Sequence, residues 1–233
     1  MPYKRVYFIR HGQSEANAAK RDTLLVRDAL LTDLGKQQAS AWHQPNELSK
    51  VFNDNPPELC ICSPLRRAME TAALVFKNQP QIPIESSRLP RERWWKHYQC
   101  IGSDHEETLR FAATLPRKIQ KLAELTDVDK FWNPLLELEE ANSLHRDAQG
   151  DAKDLYSPSK REEVAQGMKQ TVEMLRRRPE LSIAVACHWG VINALTDVSP
   201  NNCNIVAADL DVNTGEFLVL QEFAPPGEIE ATI

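Results

Sequence analysis

The sequence predicts an α/β protein with parallel strands. Two runs dominated by apolar residues, Val6–Ile9 and Ser182–Cys187, have the length of strands that are covered on both faces, as in parallel sheets. Between them, Leu65, Met69 and Ala72 recur at helical spacing and predict an amphipathic helix. Because such sheets bind ligands at the carboxyl ends of their strands, the residues after each run are the first candidates for a functional site.

Length and composition favour one domain. The chain has 233 residues, of which 42% are hydrophobic, enough for one sizeable core. The length alone would also allow two domains. We predict a single domain over residues 1–223 and a loose tail over residues 224–233, where two prolines and a glycine follow the last apolar run.

Charge, hydropathy and cysteine content argue against several classes of protein. The 28 basic and 33 acidic residues give a net charge of −5, so no overall basic field favours nucleic acid or an acidic membrane surface. No apolar run reaches the roughly 18 residues of a membrane span, and the amino terminus lacks the apolar segment of a signal peptide. Five cysteines without CxxC spacing argue against a disulfide framework and a zinc site. We expect a cytoplasmic protein without a membrane or nucleic-acid partner. No oligomeric state is predicted.

Arg10 and His11 follow the first strand directly. A neutral histidine can act as a nucleophile through a ring nitrogen, and arginine offers a planar fork of donors that suits phosphate oxygens. The pair therefore indicates phosphate chemistry. The alternative at this point is an ordinary surface loop.

Two later segments offer matching groups. Ser63 and Pro64 suit the N-cap and the first position of a helix, so Arg66 lies in the first turn, where it would add a donor to the anion site that a helix N-terminus provides. The alternative for Arg66 is a solvated surface residue. The strand Ser182–Cys187 delivers His188 as the first strand delivers His11, so the two histidines are expected together.

The segment Arg10-His11-Gly12 resembles the signature of the histidine phosphatase superfamily, with Ser14 and Asn17 three and six residues beyond the histidine. Phosphoglycerate mutases and many phosphatases share this signature.

Further segments resemble the family's motifs in the family's order. Residues 31–39 resemble its LTxxGxxQA segment, to which we assign mainly a packing role. The segment SPLRRAMETA resembles its second motif, SxxxRxxxTA, and we place Arg66 at the arginine of that motif. Leu89–Glu92 resembles the segment that ends in the family's proton donor.

The resemblance implies a fold and a mechanism. The expected fold is an α/β three-layer sandwich with a mostly parallel central sheet, phosphoglycerate mutase-like, in which residues 102–156 form a variable helical insertion over the site. His11 would attack the phosphoryl group and Glu92 would protonate the departing alcohol. The substrate would be a small phosphorylated metabolite, and inorganic phosphate would bind at the same place, with no metal or cofactor. The groups implied to bind the phosphate are Arg10, Gly12, Ser14, Asn17, Arg66 and His188.

Three functions remain open: a phosphatase, a phosphomutase and a catalytically silent binding module. The filled catalytic positions argue against the silent module. Phosphoglycerate mutases follow their catalytic glutamate with Arg-His-Tyr-Gly, whereas Glu92 is followed by Arg93, Trp94 and Trp95. Trp189 also stands after the second histidine, where the family usually has a small residue. We therefore predict hydrolysis rather than transfer.

Overall fold

The fold was analysed in a computed structural model, which describes residues 2–19, 26–44, 46–53, 55–92, 100–125 and 158–227. Within these ranges one seven-stranded sheet has the strand order β4-β3-β2-β5-β1-β6-β7. The strands are β1 Tyr3–Arg10, β2 Leu59–Cys62, β3 Ile84–Ser86, β4 Ile119–Gln120, β5 Ser182–Cys187, β6 Ile205–Asp211 and β7 Phe217–Phe223. The first five strands are paired in parallel, and β6 and β7 add an antiparallel edge.

The described helices flank this sheet. They are α1 Glu15–Ala18, α2 Asp33–Ala41, α3 Glu47–Phe52, α4 Arg66–Val75, α5 His105–Ala113, α6 Pro158–Arg177 and α7 Trp189–Thr196, with a 3₁₀ turn at Leu122–Glu124. None of the helices in the described ranges has the length and apolar character needed to span a bilayer.

Two hydrophobic cores lie on opposite faces of the sheet. Alternate residues of β1 belong to different cores, with Tyr7 and Ile9 in one and Val6 and Phe8 in the other. Residues of α2, α3 and α4 cover the first core, and residues of α6 and α7 cover the second. Since helices cover both faces of a mostly parallel sheet, the predicted α/β three-layer sandwich is confirmed.

Part of the predicted insertion belongs to the sheet. Of residues 102–156, the structure describes 102–125, which contain α5 and the edge strand β4. Helix α5 agrees with the helical character predicted for this stretch, whereas a strand was not predicted. Because β4 has only two residues, Ile119–Gln120, it gives no period-2 pattern that sequence reading could detect. Residues 126–156 lie outside the described residues, as do residues 228–233 of the predicted tail.

Candidate active site

Two histidines meet at the carboxyl edge of the sheet. Strands β1 and β5 are parallel neighbours in which Arg10 is paired with Cys187. His11 and His188 therefore leave the sheet side by side. Their rings are buried, with centroids 5.1 Å apart and planes inclined by 60°. The structure thus brings together the two histidines that the sequence predicts to be adjacent.

The contacts of His11 define its protonation state. Its Nδ1 lies 2.7 Å from the carbonyl oxygen of Gly12, which can only accept, so Nδ1 carries the proton. Its Nε2 accepts a hydrogen bond from Nε of Arg67 at 3.2 Å. Burial, together with the charges of Arg67 and Arg10, holds the pKa of His11 well below its usual value. His11 is therefore neutral, and the lone pair of Nε2 points at an arginine.

Arg67, and not the predicted Arg66, contacts His11. The Arg67 side chain is only 1% exposed although it carries a charge. Because burying a charge is costly unless the charge has partners, this position beside the histidines indicates a defined role for Arg67. The spacing of SxxxRxxxTA itself identifies this residue, because the arginine of the motif stands four residues after Ser63 and four before Thr71. Arg67 takes the place that our sequence analysis gave to Arg66.

The Arg66 side chain binds two carboxylate-bearing residues instead. Its Nε donates to the backbone oxygen of Asp28 at 3.0 Å and lies 3.4 Å from the Asp28 carboxylate, and its Nη1 lies 3.0 Å from Glu107. The Asp28 carboxylate is fully buried and also accepts from the backbone N–H groups of Arg66 and Ser103. Adjacent helix residues point about 100° apart, so Arg66 and Arg67 have different surroundings. Arg66 thus joins the start of α4 to the loop that contains Asp28 and to helix α5.

Within the described part of the chain, Arg10 carries a buried donor that is free for a ligand. Its Nη1 donates to the backbone oxygen of Pro200 at 2.7 Å. Its Nε is buried and has no hydrogen-bond partner among the described residues. Burial lowers the pKa of Arg10, and the charge of Glu92 opposes that change. A buried donor without a partner next to two histidines is suited to an anionic ligand.

His188 is held by the serine of the second motif. Its Nε2 lies 2.8 Å from the hydroxyl of Ser63, and its buried Nδ1 has no partner among the described residues. Burial and the neighbouring charges, that of Arg67 foremost, hold the pKa of His188 well below its usual value. His188 is therefore a neutral group with one nitrogen left for a ligand.

Glu92 reaches the same edge of the sheet from the loop after β3. Its Oε2 accepts a hydrogen bond of 3.2 Å from the backbone N–H of Gly190, in the first turn of α7. His188 is the N-cap residue of that helix. Glu92 also contributes to the electrostatic environment of Arg10. The predicted proton donor thus lies beside the histidine pair.

Gly12 is required by close packing. A Cβ at Gly12 would lie 2.5 Å from the backbone oxygen of Gly35. The Gly12 N–H donates to the hydroxyl of Thr71 at 3.1 Å. This backbone donor, which the sequence analysis assigned to the phosphate, is therefore engaged within the protein.

Ser14 has a capping role. Its hydroxyl accepts from the backbone N–H of Asn17, and its own backbone N–H donates to the Asn17 amide oxygen, which completes a capping box for α1. The Asn17 oxygen also receives an N–H of Asn202 at 3.3 Å. Because the oxygen of Asn17 is occupied, its amide nitrogen is the group that remains for a ligand. The structure thus assigns Ser14 to the support of the loop.

Helix α2 holds the loop after His11. Gln38 accepts from the backbone N–H of Gln13 at 2.9 Å, and the Thr32 hydroxyl donates to the Gln13 side-chain oxygen at 2.9 Å. A Cβ at Gly35 would lie 2.1 Å from the Gln13 backbone oxygen. The LTxxGxxQA segment therefore packs on the active-site loop, which gives the predicted packing role a direct link to the site.

The loop before β6 supplies contacts that sequence reading missed. The Asn202 amide donates to the backbone oxygen of His11 at 2.9 Å, and Pro200 accepts from Arg10. Cys203, with a φ of 61°, donates its backbone N–H to the same turn. No sequence pattern pointed to this loop, because it precedes a strand and the candidate residues were those that follow strands.

Comparison with known proteins identifies a family and named relatives. Residues 6–126 match the profile of the "Histidine phosphatase superfamily (branch 1)", a little over half of the chain. A Schizosaccharomyces pombe protein named "Probable phosphatase" is 33% identical over 87 residues, which are 37% of each chain. A glucosyl-3-phosphoglycerate phosphatase of Mycolicibacterium vanbaalenii is 35% identical over 89 residues, which are 38% of this chain and 36% of that protein. The matches thus cover little more than a third of these two curated relatives.

A solved structure matches along nearly the whole chain. The ecdysone phosphate phosphatase from Bombix mori, solved in complex with tungstate, superposes with a TM-score of 0.54 at 14% identity, covering 98% of this chain and 96% of that chain. At this identity the likeness concerns the fold alone, and it agrees with the predicted phosphoglycerate mutase-like architecture.

Proposed function

Because the chain belongs to the histidine phosphatase superfamily, we propose that it hydrolyses phosphomonoesters through a phosphohistidine formed at His11. The observation that carries the proposal is the state of His11: its ring is neutral, its Nδ1 proton is held by Gly12, and its Nε2 lone pair faces the Arg67 guanidinium. A lone pair directed at a cation is placed to attack a phosphoryl group bound by that cation.

The substrate phosphate would replace the direct contact between Arg67 and His11. Arg67 and Arg10 would bind its oxygens by charge-assisted hydrogen bonds, and Nδ1 of His188 and the Asn17 amide would complete the set. Two arginines neutralise much of the charge of a phosphate dianion, so the proposed reaction needs no metal ion or other cofactor.

In the first step, Nε2 of His11 forms a bond to phosphorus as the ester P–O bond breaks. Glu92 donates its proton to the departing alcohol oxygen. In the second step, a water molecule attacks the phosphohistidine, Glu92 takes a proton from that water, and the N–P bond breaks to release inorganic phosphate. The first step leaves His11 phosphorylated and Glu92 ionised, and the second returns His11 to its neutral form and Glu92 to its protonated form, so the cycle closes.

The expected substrate is a small phosphorylated metabolite, and hydrolysis is the expected outcome. Two relatives of this chain carry phosphatase names. Residues 93–95, which differ from the mutase segment, lie outside the described residues. A mutase must retain its intermediate and exclude water, whereas a phosphatase must admit water.

Parallel assays test the proposal. The protein would be given a generic aryl phosphate, and separately 3-phosphoglycerate with catalytic 2,3-bisphosphoglycerate, while phosphate and 2-phosphoglycerate are measured. We expect phosphate release from the aryl ester and little isomer. Isomer formation tenfold faster than phosphate release would show a mutase. No turnover of either substrate, with phosphate bound, would show a silent binding module.

A further inference from the structure

Trp189 is an exposed aromatic residue at the proposed site. Its side chain is 37% exposed, and it belongs to neither of the two hydrophobic cores formed by the described residues. The residues after it, Val191 and Ile192, are fully buried and pack in the second core. These two residues anchor α7 to the sheet, and Trp189 is left for another role.

Trp189 stands at the end of α7 that meets the site. Trp189 is the first residue of the helix, and side chains on a helix lean toward its N-terminus. At that end lies the N-cap His188, and the backbone N–H of Gly190 holds the Glu92 carboxylate. In the chain, Trp189 thus stands between His188, which would bind the phosphate, and Gly190, whose N–H holds the proton donor.

The alcohol leaving group is expected next to Trp189. In the proposed function, on which this inference rests, the alcohol oxygen receives its proton from Glu92. Glu92 is hydrogen-bonded to the residue next to Trp189, so the first carbon atoms of the alcohol come within reach of the indole. An indole offers a flat apolar face and one N–H donor. It cannot satisfy the several hydroxyls of a sugar or polyol, which lose water when they are covered.

We infer that Trp189 forms an apolar wall for the leaving group and that the enzyme prefers phosphomonoesters of alcohols with an aromatic or extended apolar body over esters of small polyols. A large apolar leaving group exchanges water for the indole face, whereas a small polyol has much less apolar surface to bury in that contact. The preference acts through substrate binding and not through the chemical step, which the same histidines and arginines carry out for both kinds of ester.

The test compares 2-phenylethyl phosphate with glycerol 3-phosphate, two esters of alkyl alcohols that both need protonation on departure. Wild-type protein, Trp189→Ala and the conservative Trp189→Phe would be assayed for kcat and KM. We expect the wild type to favour 2-phenylethyl phosphate at least tenfold in kcat/KM. Trp189→Ala should lose about tenfold on that ester, mainly in KM, and less than threefold on glycerol 3-phosphate. Trp189→Phe should retain most of the preference.

Two results would overturn the inference while leaving the proposed function intact: a wild type that favours glycerol 3-phosphate, or a Trp189→Ala variant that loses equally on both esters. Absence of hydrolysis of both esters and of an aryl phosphate by the wild-type protein would overturn the proposed function and this inference together. A circular dichroism melt of each variant checks that the fold is retained, which the exposure of Trp189 leads us to expect.

Discussion

Arg66 and Arg67 form a matched pair for testing the site at the level of single residues. Arg67→Ala removes the donor on Nε2 of His11 and should lower kcat about 100- to 1,000-fold, as expected for one preorganised donor in an anion site. Arg66→Ala should change kcat by less than tenfold but lower the melting temperature, because it leaves the buried Asp28 carboxylate with less compensation. Steady-state kinetics and thermal melts of both variants measure these effects.

Kinetics at a temperature below both melting transitions separates the two roles. If Arg66→Ala loses as much kcat as Arg67→Ala, the assignment of Arg67 as the phosphate-binding arginine is contradicted.

The sequence predicted most of the groups at the site but not all of their roles. Arg10, His11 and His188 were predictable because they follow strands, and neighbouring parallel strands deliver their ends to one edge. Which of Arg66 and Arg67 faces His11 depends on the rotation of α4 about its axis. The first-turn argument fixes only the distance of a residue from the helix end, so it does not decide between them, whereas the spacing of SxxxRxxxTA selects Arg67.

At the level of elements, the contact of α2 with the active-site loop gives a sharp prediction. Gly35→Ala would improve helix propensity by about 1 kcal/mol on an open helix face. Here the new Cβ would meet the Gln13 backbone oxygen at 2.1 Å, so we expect a net destabilisation of about 1–3 kcal/mol. Because Gln13 follows His11 and Gly12 directly, kcat should also fall.

Gln37→Ala, at an exposed position of the same helix, is the control and should leave both stability and kcat nearly unchanged. Urea unfolding and aryl phosphate hydrolysis measure the two quantities. A Gly35→Ala protein as stable and active as the control would contradict the role of α2. The sequence showed the family-like segment over residues 31–39, but the close backbone approach that requires Gly35 became visible only in the packed structure.

At the level of the whole molecule, the buried histidines make stability depend on pH. Burial lowers the pKa of His11 and His188, so both stay neutral in the folded protein. In the unfolded chain the same histidines take up protons near the usual histidine pKa of about 6.5. Stability contributed in this way is present above pH 6.5 and is lost as pH falls below it. Each histidine can contribute up to about 1.4 kcal/mol per pH unit.

Urea unfolding of wild type and His188→Gln between pH 7.5 and 5.5 measures this dependence. The variant removes one of the two groups, so its stability should fall less steeply with decreasing pH. His43 and Asp28, whose pKa values are also shifted, are present in both proteins and cancel in the comparison. Equal slopes for the two proteins would show that His188 is not held neutral by the fold.

The sequence predicted the layers of the fold but not all the loops that complete the site. Apolar runs of strand length predicted buried strands with helices on both faces, and the alternation of β1 residues between two cores agrees with this. The loop before β6 was not predicted as part of the site, because Asn202 and Pro200 precede a strand and the strand-end argument concerns only residues that follow strands. Sequence periodicity reports on local structure only.

The central claim is that His11 carries the phosphoryl group, and trapping the intermediate tests it most directly. The protein would be mixed with substrate labelled in its phosphoryl group, quenched within milliseconds in alkali, and digested for peptide mapping. We predict acid-labile label on the peptide that contains His11, formed and lost at rates compatible with kcat, and no label in His11→Ala. Label on a serine, aspartate or cysteine, or on another histidine, would contradict the account.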